Sequence, residues 1–503
     1  MAKNLSKSRY TLFRQCPKAL WMSVYQPESA AEADQTRMTE GNRVGELAKG
    51  LFGPHSDTIL PNESLDIKAM LNRTKELMSD PMVETICEAA FITDSCYCAV
   101  DLLHREKNGW AIYEVKSSTG SDKKEPDEVQ IWDISYQYYV LRQCGVNVVG
   151  AYLVRLNSDY VLNGELNIQE LFYINDVREA IEAEQPKIAI YCAKAKEVLS
   201  QTDEPAHKLH KGCNKPYECA FKQYCMQQNA VPTPGVFDLY RMNWDQAVEL
   251  FYKGKGDLES LRKEESLKDY QRLQIECTLS NKDLIDKQVI RQFLETIKYP
   301  VYHLDFESFQ PVIPIYQGTK PYQQIPFQYS LHIEPTQGGE CDHREFLADA
   351  NSANPMRAVA EQLCKDIPKH GTVLVYNDNF EKGRLKEMAN AFPDLAEHLL
   401  SIRDNVLDLL DPFQAWGYYR PAMHGSFSIK KVLPALFPDD KKLNYANLQG
   451  SVHNGGEAMD IFPRMRTMAQ DQLEAARASL LEYCKLDTWS MVVILRKLYE
   501  IAK

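Results

Sequence analysis

Three cysteines recur at six-residue spacing in the segment CNKPYECAFKQYC, which begins at Cys213, passes Cys219 and ends at Cys225. Thiolates held close together bind zinc or an iron–sulfur cluster. Structural zinc sites usually pair cysteines two to four residues apart, so gaps of five residues favour a cluster. Asn, Lys, Gln and Tyr residues between the cysteines argue against the alternative of plain buried thiols. The segment therefore predicts a metal or cluster site that still needs a fourth ligand.

A second group of residues combines two carboxylates with a lysine. Asp101 ends one predicted strand, and Glu114 and Lys116 are two residues apart on the next strand, so these two share a face. Two carboxylates can hold a divalent cation that polarises a phosphate and generates hydroxide, and the lysine can orient that nucleophile. The alternative is an exposed Glu–Lys pair on a strand edge, because such triplets are frequent.

A third group brings acids from separate segments. Asp305 and Glu307 lie in YHLDFESF, Glu381 lies in VYNDNFEKGRL, and Tyr483 and Asp487 lie one helical turn apart in LEYCKLDTWS. Four acids can ligate two Mg²⁺ or Mn²⁺ ions about 4 Å apart and so clamp both oxygens of a phosphodiester displacement. Taken singly, each acid could be a solvated surface charge. Asp305 is the exception, since a charge inside an apolar strand is costly unless it is paired or binds metal.

The elements that must position these residues follow from apolar runs and turn sequences. The first region is predicted to contain helices at 37–51, 65–79 and 128–143, and strands at 86–92, 97–103, 110–115 and 148–156. The second region is predicted to contain strands at 301–306, 327–333 and 373–376, followed by helices. The Pro- and Gly-containing stretch 229–235 marks a boundary, and a charged helical segment lies between the regions.

Composition limits the class of protein. A chain of 503 residues with 44% hydrophobic and 25% charged residues predicts two or three globular domains. No apolar run is long enough for a membrane span and no signal peptide is evident, so we expect a cytoplasmic protein that does not associate with membranes. Thirteen cysteines then indicate thiols, metal or a cluster rather than disulfides. A net charge of −12 disfavours non-specific coating of nucleic acid, but it allows an enzyme that holds nucleic acid through cations and a local basic groove.

The sequence has Asp101 shortly before Glu114-Val115-Lys116, in a meander that lies between helices. This arrangement resembles the motif of the PD-(D/E)XK nuclease superfamily. The helix that contains Gln137, in DISYQYYVLRQCG, resembles the Gln/Tyr motif of its RecB-like branch, and TEGNRVGELAKGLF resembles that branch's first motif. The chain departs from the branch at Gly45, where many members have a metal-binding histidine. Glu40 or Glu46 is an alternative source of a carboxylate.

One group of RecB-like nucleases, which includes AddB-type and CRISPR-associated exonucleases, carries an iron–sulfur cluster. Its members place one cysteine before the nuclease core and three after it. The resemblance therefore implies that Cys16, in RQCPKALW, joins Cys213, Cys219 and Cys225 around a structural 4Fe–4S cluster. Zinc stays open as the alternative. Lys208, Lys211, Lys215 and Lys222 around the cysteines are either a strand-binding surface or solvated lysines.

The third group of residues resembles the RNase H-like DEDD exonucleases, in the branch whose last motif is Tyr-x-x-x-Asp. The resemblance implies that Asp305, Glu307, Glu381 and Asp487 hold metal and that Tyr483 holds the attacking water. Glu381 stands where the family usually has Asp, and Asp378 is a weaker candidate for that role.

Together the two resemblances imply an α/β protein of the kind found in a bacterial family that fuses a RecB-like nuclease to an RNase H-like domain. The expected organisation is a PD-(D/E)XK domain with its cluster at 1–230, a helical linker at 231–298 and a mixed-sheet DEDD domain at 299–503. The implied function is Mg²⁺- or Mn²⁺-dependent hydrolysis of phosphodiester bonds, in DNA rather than RNA. The alternatives are an RNA-processing 3′–5′ exonuclease and a partly inactive nuclease that acts as a binding scaffold. A helicase or another repair or defence protein stays open as a partner, and the oligomeric state is not fixed.

Overall fold

The computed structural model describes residues 4–31, 35–59 and 66–503. The predicted helix 65–79 thus begins at a residue outside the described part, and the helix itself runs over Ile67–Ser79. The chain divides into two compact units. The first consists of Met1–Val231 and Val312–Pro321, and the second of Pro232–Pro311 and Tyr322–Lys503.

The first unit combines one mixed sheet with helices. Its strands are β1 (Leu5–Ser6), β2 (Ser56–Asp57), β3 (Thr85–Thr93), β4 (Cys96–Glu106), β5 (Gly109–Gly120), β6 (Val148–Asn157) and β7 (Phe172–Asp176). Its helices are α1 (Lys7–Gln15), α2 (Pro17–Tyr25), α3 (Gln35–Ala48), α4 (Ile67–Ser79), α5 (Glu128–Gln143), α6 (Ile168–Leu171), α7 (Arg178–Ser200) and α8 (Lys222–Gln228).

The predicted meander of three strands is confirmed. β3, β4 and β5 pair antiparallel, β6 joins β5 in parallel, and the sheet order is β2-β3-β4-β5-β6-β7, with β1 added beside β4. Asp94 and Ser95 both have positive φ, the conformation that two-residue hairpins of this twist require, and they close the β3–β4 turn. The hairpin connections therefore fix the register that sets Asp101 on β4 near Glu114 on β5.

Helix α5 has the predicted bounds and a defined start and stop. Asp127 caps its N-terminus in a capping box with Gln130, and Gly145 follows its C-terminus with φ +79°, a left-handed conformation that glycine adopts without cost. The helix packs against β4 and β6. Its apolar side, which includes Ile134 and Val140, is buried in the main core of the unit.

The second unit is also mixed α/β. Its strands are β8 (Leu284–Ile285), β9 (Val301–Phe309), β10 (Ile325–Glu334), β11 (Asp342–Leu347), β12 (Thr372–Val375), β13 (Val406–Asp408) and β14 (Tyr418–Tyr419). Its helices are α9 (Trp244–Tyr252), α10 (Leu258–Leu261), α11 (Asp269–Ser280), α12 (Lys287–Leu294), α13 (Pro355–Asp366), α14 (Asn379–Ala391), α15 (Ala396–Asp404), α16 (Asp411–Gln414), α17 (Ile429–Leu436), α18 (Gly455–Arg464) and α19 (Gln470–Ala502).

The main sheet of the second unit has the order β11-β10-β9-β12-β13. β9, β10 and β11 are antiparallel neighbours, whereas β12 and β13 continue the sheet in parallel. β9 is the central strand and is covered by α18 and α19, so most of its side chains are buried. The three strands predicted for this region are confirmed, each within four residues of its predicted bounds.

The segment predicted as a helical linker is helical and has a small core of its own. Its core residues are Val236, Leu239, Ala247, Leu250, Leu258, Leu261, Leu267 and Ile275. Residues 232–298 are grouped with the second unit.

Among the residues described, no helix has both the length and the apolar character to cross a membrane.

Candidate functional site

The first carboxylate site lies where β4, β5 and α5 meet. The backbone N–H of Val115 donates to Asp101 Oδ2 at 2.8 Å, which ties β5 to that carboxylate. Glu114 is fully buried and accepts from Lys116 Nζ at 2.6 Å and from Gln137 Nε2 at 2.7 Å. The structure thus brings all four residues predicted for this site into one hydrogen-bonded group.

Two residues that the sequence did not predict complete this group. Lys7, the first residue of α1, donates to Asp101 Oδ1 at 3.1 Å and to the two Glu114 oxygens at 3.0 and 3.2 Å. Asp133 on α5 accepts from Lys116 Nζ at 2.6 Å. Asp133 is one helical turn before Gln137, so this spacing was visible in the sequence. Lys7 lies 94 residues before Asp101 and had no such signal.

The charges of this site act strongly on one another. Burial alone would raise the pKa of Glu114, but the ammonium groups of Lys116 and Lys7 outweigh burial and hold that pKa well below its usual range. Burial and the Glu114 charge raise the pKa of Asp101 to about 6. Burial opposes the charge of Lys7, yet Asp101 and Glu114 keep its pKa well above its ordinary value. In the absence of a metal ion, the two ammonium groups are the counter-ions of these acids.

A further acid, Glu88 on β3, faces the same site. It has a positive φ of 56° and no partner in the β3–β4 register, which passes from Cys87–Leu102 to Ala89–Val100 and also leaves Asp101 unpaired. The positive φ, which is uncommon for a residue other than glycine, interrupts the pairing locally without shifting the register. Burial and the Asp101 charge raise the pKa of Glu88 to about 7.

Glu40 and Glu46, the acids considered as substitutes for a histidine at Gly45, lie in different surroundings from Glu88. Space is open around the position that a Cβ atom would take at Gly45, so packing does not require glycine there. Glu46 is exposed and pairs with Lys49 at 2.8 Å. Glu40 has one buried oxygen that lacks a hydrogen-bond partner within the described residues.

The donor set of the first site fits a divalent cation. Asp101 and Glu114 present carboxylate oxygens, the hard ligands that Mg²⁺ and Mn²⁺ prefer, toward one point. The ammonium group of Lys7 contacts both carboxylates at that point, so a positive charge is already accommodated there.

The second carboxylate site lies on the central strand β9 and the long helix α19. Ligand atoms of Asp305, Glu307 and Cys484 lie within 4.8 Å of one another, and Cys484 Sγ donates to Asp305 Oδ2 at 3.6 Å. Asp487 is buried on α19, one turn after the buried Tyr483. The side chains of Asp305 and Glu307 share a face of β9, as their spacing predicted.

Burial has the largest effect on the acids of this site, and repulsion among them adds to it at Asp305 and Glu307. Burial and the Asp487 charge raise the pKa values of Asp305 and Glu307 well above their ordinary range. Burial raises the pKa of Asp487 from 3.8 to about 6, even though Tyr445 and Lys430 act in the opposite direction. These acids therefore resist ionising together, and a divalent cation between them would relieve the repulsion.

Glu381 is buried in the first turn of α14, and its Oε2 has no hydrogen-bond partner in the part of the chain that is described. Burial, with the charges of Asp408 and Asp378, raises the pKa of Glu381 to about 8. Its own charge raises the pKa values of Asp305 and Glu307. Glu381 thus belongs to the same electrostatic group, although it lies outside the 4.8 Å cluster.

Two residues near Asp487 escaped the sequence analysis. Tyr445 Oη donates to Asp487 Oδ1 at 2.5 Å. Lys430 Nζ lies 5.3 Å from the centre of the Tyr445 ring and 5.5 Å from that of Tyr483. Both residues are distant from the acids in sequence, and only the packing of α17 and the following loop against α19 brings them there.

The four cysteines predicted as ligands line one pocket. Cys16, Cys213 and Cys219 are buried, and Cys225 is partly buried. Burial raises the pKa values of all four thiols, and for Cys16 the value reaches about 12. Cys213 and Cys219 contribute to this rise at both Cys16 and Cys225, so the thiols lie close enough for their charges to interact. A set of four convergent thiols fits a thiolate-bound metal or cluster, which would stabilise the ionised sulfurs.

Two histidines share this pocket and were not predicted. Ligand atoms of Cys16, His207 and His210 lie within 4.8 Å of one another. The lysines of the segment differ among themselves: Lys211 and Lys215 are exposed, whereas Lys222 forms an ion pair with Glu218 at 3.0 Å.

Comparison with known proteins gives a family match to part of this chain. The profile of the family named Domain of unknown function (DUF2779) matches residues 302–428. The matched stretch lies within the second unit apart from 312–321, and it includes Asp305, Glu307 and Glu381 but ends before Tyr483 and Asp487.

Similar proteins occur in mycoplasmas. The chain is 25% identical over 214 residues to an uncharacterised protein of Mycoplasma genitalium and 29% identical over 226 residues to one of Ureaplasma parvum. Each match covers 40% of this chain and 32% of the relative, so the chain spans about a third of the length of the curated relatives it matches.

Proposed function

We propose that this chain is a metal-dependent nuclease that hydrolyses phosphodiester bonds, with DNA as the preferred substrate. The first unit would contain a PD-(D/E)XK-type centre and the second an RNase H-like DEDD-type exonuclease centre. The observation that carries the proposal is the group of Asp305, Glu307 and Asp487 in the interior of the second unit, where ligand atoms of Asp305 and Glu307 lie within 4.8 Å of each other and burial with the Asp487 charge raises the pKa of both. Acids with strongly perturbed pKa values cluster at functional sites.

In the second unit, Asp305, Glu307, Asp487 and Glu381 would hold the divalent cations. Cations at this position supply Lewis acidity toward the scissile phosphate and lower the pKa of water. Tyr445 holds Asp487 in place through its 2.5 Å hydrogen bond and is a positioning residue. The Tyr483 hydroxyl, whose pKa is raised by burial and by Asp487, stays protonated and would orient the attacking water.

In the first unit, Asp101 and Glu114 would hold a cation of the same kind. Gln137 fixes one Glu114 oxygen, so it orients the carboxylate rather than reacting. Lys116 is held between Glu114 and Asp133 and would orient the nucleophile or offset charge that develops on the phosphate. These hydrogen bonds hold Glu114 and Lys116 in defined positions, which suits a centre whose reacting groups must be oriented.

The cysteine pocket would hold a structural 4Fe–4S cluster through Cys16, Cys213, Cys219 and Cys225. Cys16 lies between α1 and α2, and the other three cysteines follow α7. A cluster here would therefore link the beginning of the first unit to the segment at residues 213–225. All thirteen cysteines are free thiols in the described structure, so the four of this pocket are available as ligands.

Single-site variants assayed on labelled DNA and RNA test this function. Glu114→Gln should leave only the activity of the second site, and Asp305→Asn only that of the first. We expect the Glu114→Gln protein to release nucleotides from the 3′ end of DNA in the presence of Mn²⁺. Equal or faster degradation of RNA would replace the DNA assignment with RNA processing. Absence of degradation of both substrates by the wild-type protein would leave a binding scaffold.

A further inference from the structure

The ammonium group of Lys7 lies where the first site would bind its metal ion. It contacts Asp101 Oδ1 at 3.1 Å and Glu114 Oε1 at 3.0 Å. A divalent cation bound to both carboxylates would lie about 2.1 Å from their oxygens. A cation there and an ammonium group 3.0–3.1 Å from the same oxygens exclude each other, through both volume and like charge.

Building on the proposed function of the first site, we propose that Lys7 is its internal counter-ion and that a divalent cation displaces the Lys7 side chain on binding. In the metal-free protein Lys7 neutralises Asp101 and Glu114 and keeps them together. Metal loading is then an exchange of one cation for another, and the apparent metal affinity of the site is set partly by Lys7.

Lys7, rather than Lys116, is the group that must leave. The hydrogen bonds of Lys7 go to Asp101 and Glu114, the two carboxylates that a metal ion would take. Lys116 has a second partner, Asp133 at 2.6 Å, and keeps it when Glu114 turns to a metal ion. The two lysines have the same side-chain exposure, 27%, so the difference between them lies in their partners.

The movement requires only the flexible side chain of Lys7, because its backbone is held. The preceding residue pair, β1, pairs with β4 through Leu5, and the Leu5 carbonyl accepts a hydrogen bond from the buried Tyr136 hydroxyl. Tyr10, one turn into α1, stacks on the Tyr136 ring with 4.8 Å between ring centres. Lys7 is therefore anchored at its Cα and free to rotate its four-carbon stem toward solvent.

Mn²⁺ titration of the full-length protein tests the exchange, with Asp305→Asn present throughout to disable the second site. Bound Mn²⁺ is counted from the loss of the free-ion electron paramagnetic resonance signal. Lys7→Met, which removes the charge at similar length, should tighten Mn²⁺ binding by about tenfold or more. Lys7→Arg retains the charge and should stay near the parent affinity.

Each other outcome of the titration overturns the proposal. If Lys7→Met binds Mn²⁺ with the parent affinity or more weakly, Lys7 does not compete with the metal, although the site still binds metal as the proposed function requires. If the parent and Lys7→Met bind no more Mn²⁺ than a Glu114→Gln control, the first site is not a metal site, and the proposed function of that site fails as well.

A second measurement reports on Lys7 without replacing it. Acylation of lysines by an amine-reactive ester, followed by mass spectrometry, gives the labelling rate of Lys7 and of Lys116 in the same sample. Mn²⁺ should raise the labelling rate of Lys7 several-fold relative to Lys116, since only Lys7 loses both partners. An unchanged ratio at saturating Mn²⁺ would refute the displacement.

Discussion

Replacing Asp487 with asparagine should stabilise the metal-free protein at high pH. The folded state raises the pKa of Asp487 from 3.8 to about 6, mainly through burial, so its ionised form is disfavoured in the fold. A rise of about two pKa units corresponds to about 3 kcal/mol. Asparagine removes the charge at nearly the same volume, and its carbonyl oxygen can still accept the Tyr445 hydrogen bond.

The effect of pH on this stabilisation follows from the difference in proton binding between the folded and unfolded chains. Well below pH 3.8 the carboxyl group is protonated in both folded and unfolded chains, so it costs the fold nothing. Between about pH 4 and pH 6 the unfolded chain ionises while the folded chain keeps its proton, so wild-type stability falls across this range and stays lower above it. Once this charge is absent, the pKa values of Asp305 and Glu307 also fall, so about 3 kcal/mol is the contribution of Asp487 alone and relief of the repulsion adds to it.

Scanning calorimetry with a chelator present measures the effect. At pH 8 the Asp487→Asn protein should unfold at a higher temperature than the wild type, by about 2–4 °C per kcal/mol. At a pH well below 3.8, where the carboxyl group is protonated in both states, the two should coincide. Mn²⁺ at a hundred times its Kd should stabilise the wild type by about 2.7 kcal/mol and the variant much less.

Asp439→Asn, which changes an exposed acid of the same unit, is the matched control and should leave both curves unchanged. The reasoning is refuted if metal-free Asp487→Asn is no more stable than wild type at pH 8. In that case burial would not disfavour the ionised form of Asp487.

Three further outcomes are expected. Cys16→Ala should remove the brown colour and the iron of anaerobically purified protein, whereas Cys144→Ala, at an exposed thiol, should keep both. A colourless wild-type protein that holds zinc would contradict the iron–sulfur cluster but would leave the four-thiolate site standing. Lys116→Met should slow first-site cleavage by about a hundredfold or more. Lys107→Met, at an exposed lysine in the turn between β4 and β5, should not slow it. Equal cleavage rates for Lys116→Met and the wild type would exclude Lys116 from the chemistry. Tyr445→Phe removes a hydrogen bond that lowers the pKa of Asp487, so the acidic limb of the second site's pH–rate profile should move to higher pH, and an unmoved limb would contradict the role of Tyr445.

The sequence predicted the parts of the fold that depend on local patterns. Apolar runs and turn sequences predicted the β3–β5 meander, and the helical pattern that ends before Gly145 predicted α5 with its observed bounds. The juxtaposition of Asp101, Glu114 and Lys116 followed from strand periodicity and one hairpin. That of Tyr483 and Asp487 followed from helical periodicity.

The residues that sequence analysis missed are those supplied by long-range packing. Lys7 reaches the first site because β1 pairs with β4, a contact between segments about 90 residues apart that no local pattern encodes. Tyr445 meets Asp487 across 42 residues of chain. Asp133 differs from these, because its one-turn spacing from Gln137 could have been used. Glu88 depended on a positive φ within β3, a local departure from strand geometry that a strand pattern alone does not predict.

The most direct test of the nuclease assignment compares the wild type with the Glu114→Gln/Asp305→Asn double variant. Both proteins are given 3′-labelled single-stranded DNA with Mn²⁺ or with a chelator, and circular dichroism confirms that the variant is folded. The proposal predicts that the wild type releases labelled nucleotides only with Mn²⁺ and that the double variant releases none. Degradation by the folded double variant at the wild-type rate would contradict it, because the cleavage would then come from neither carboxylate site.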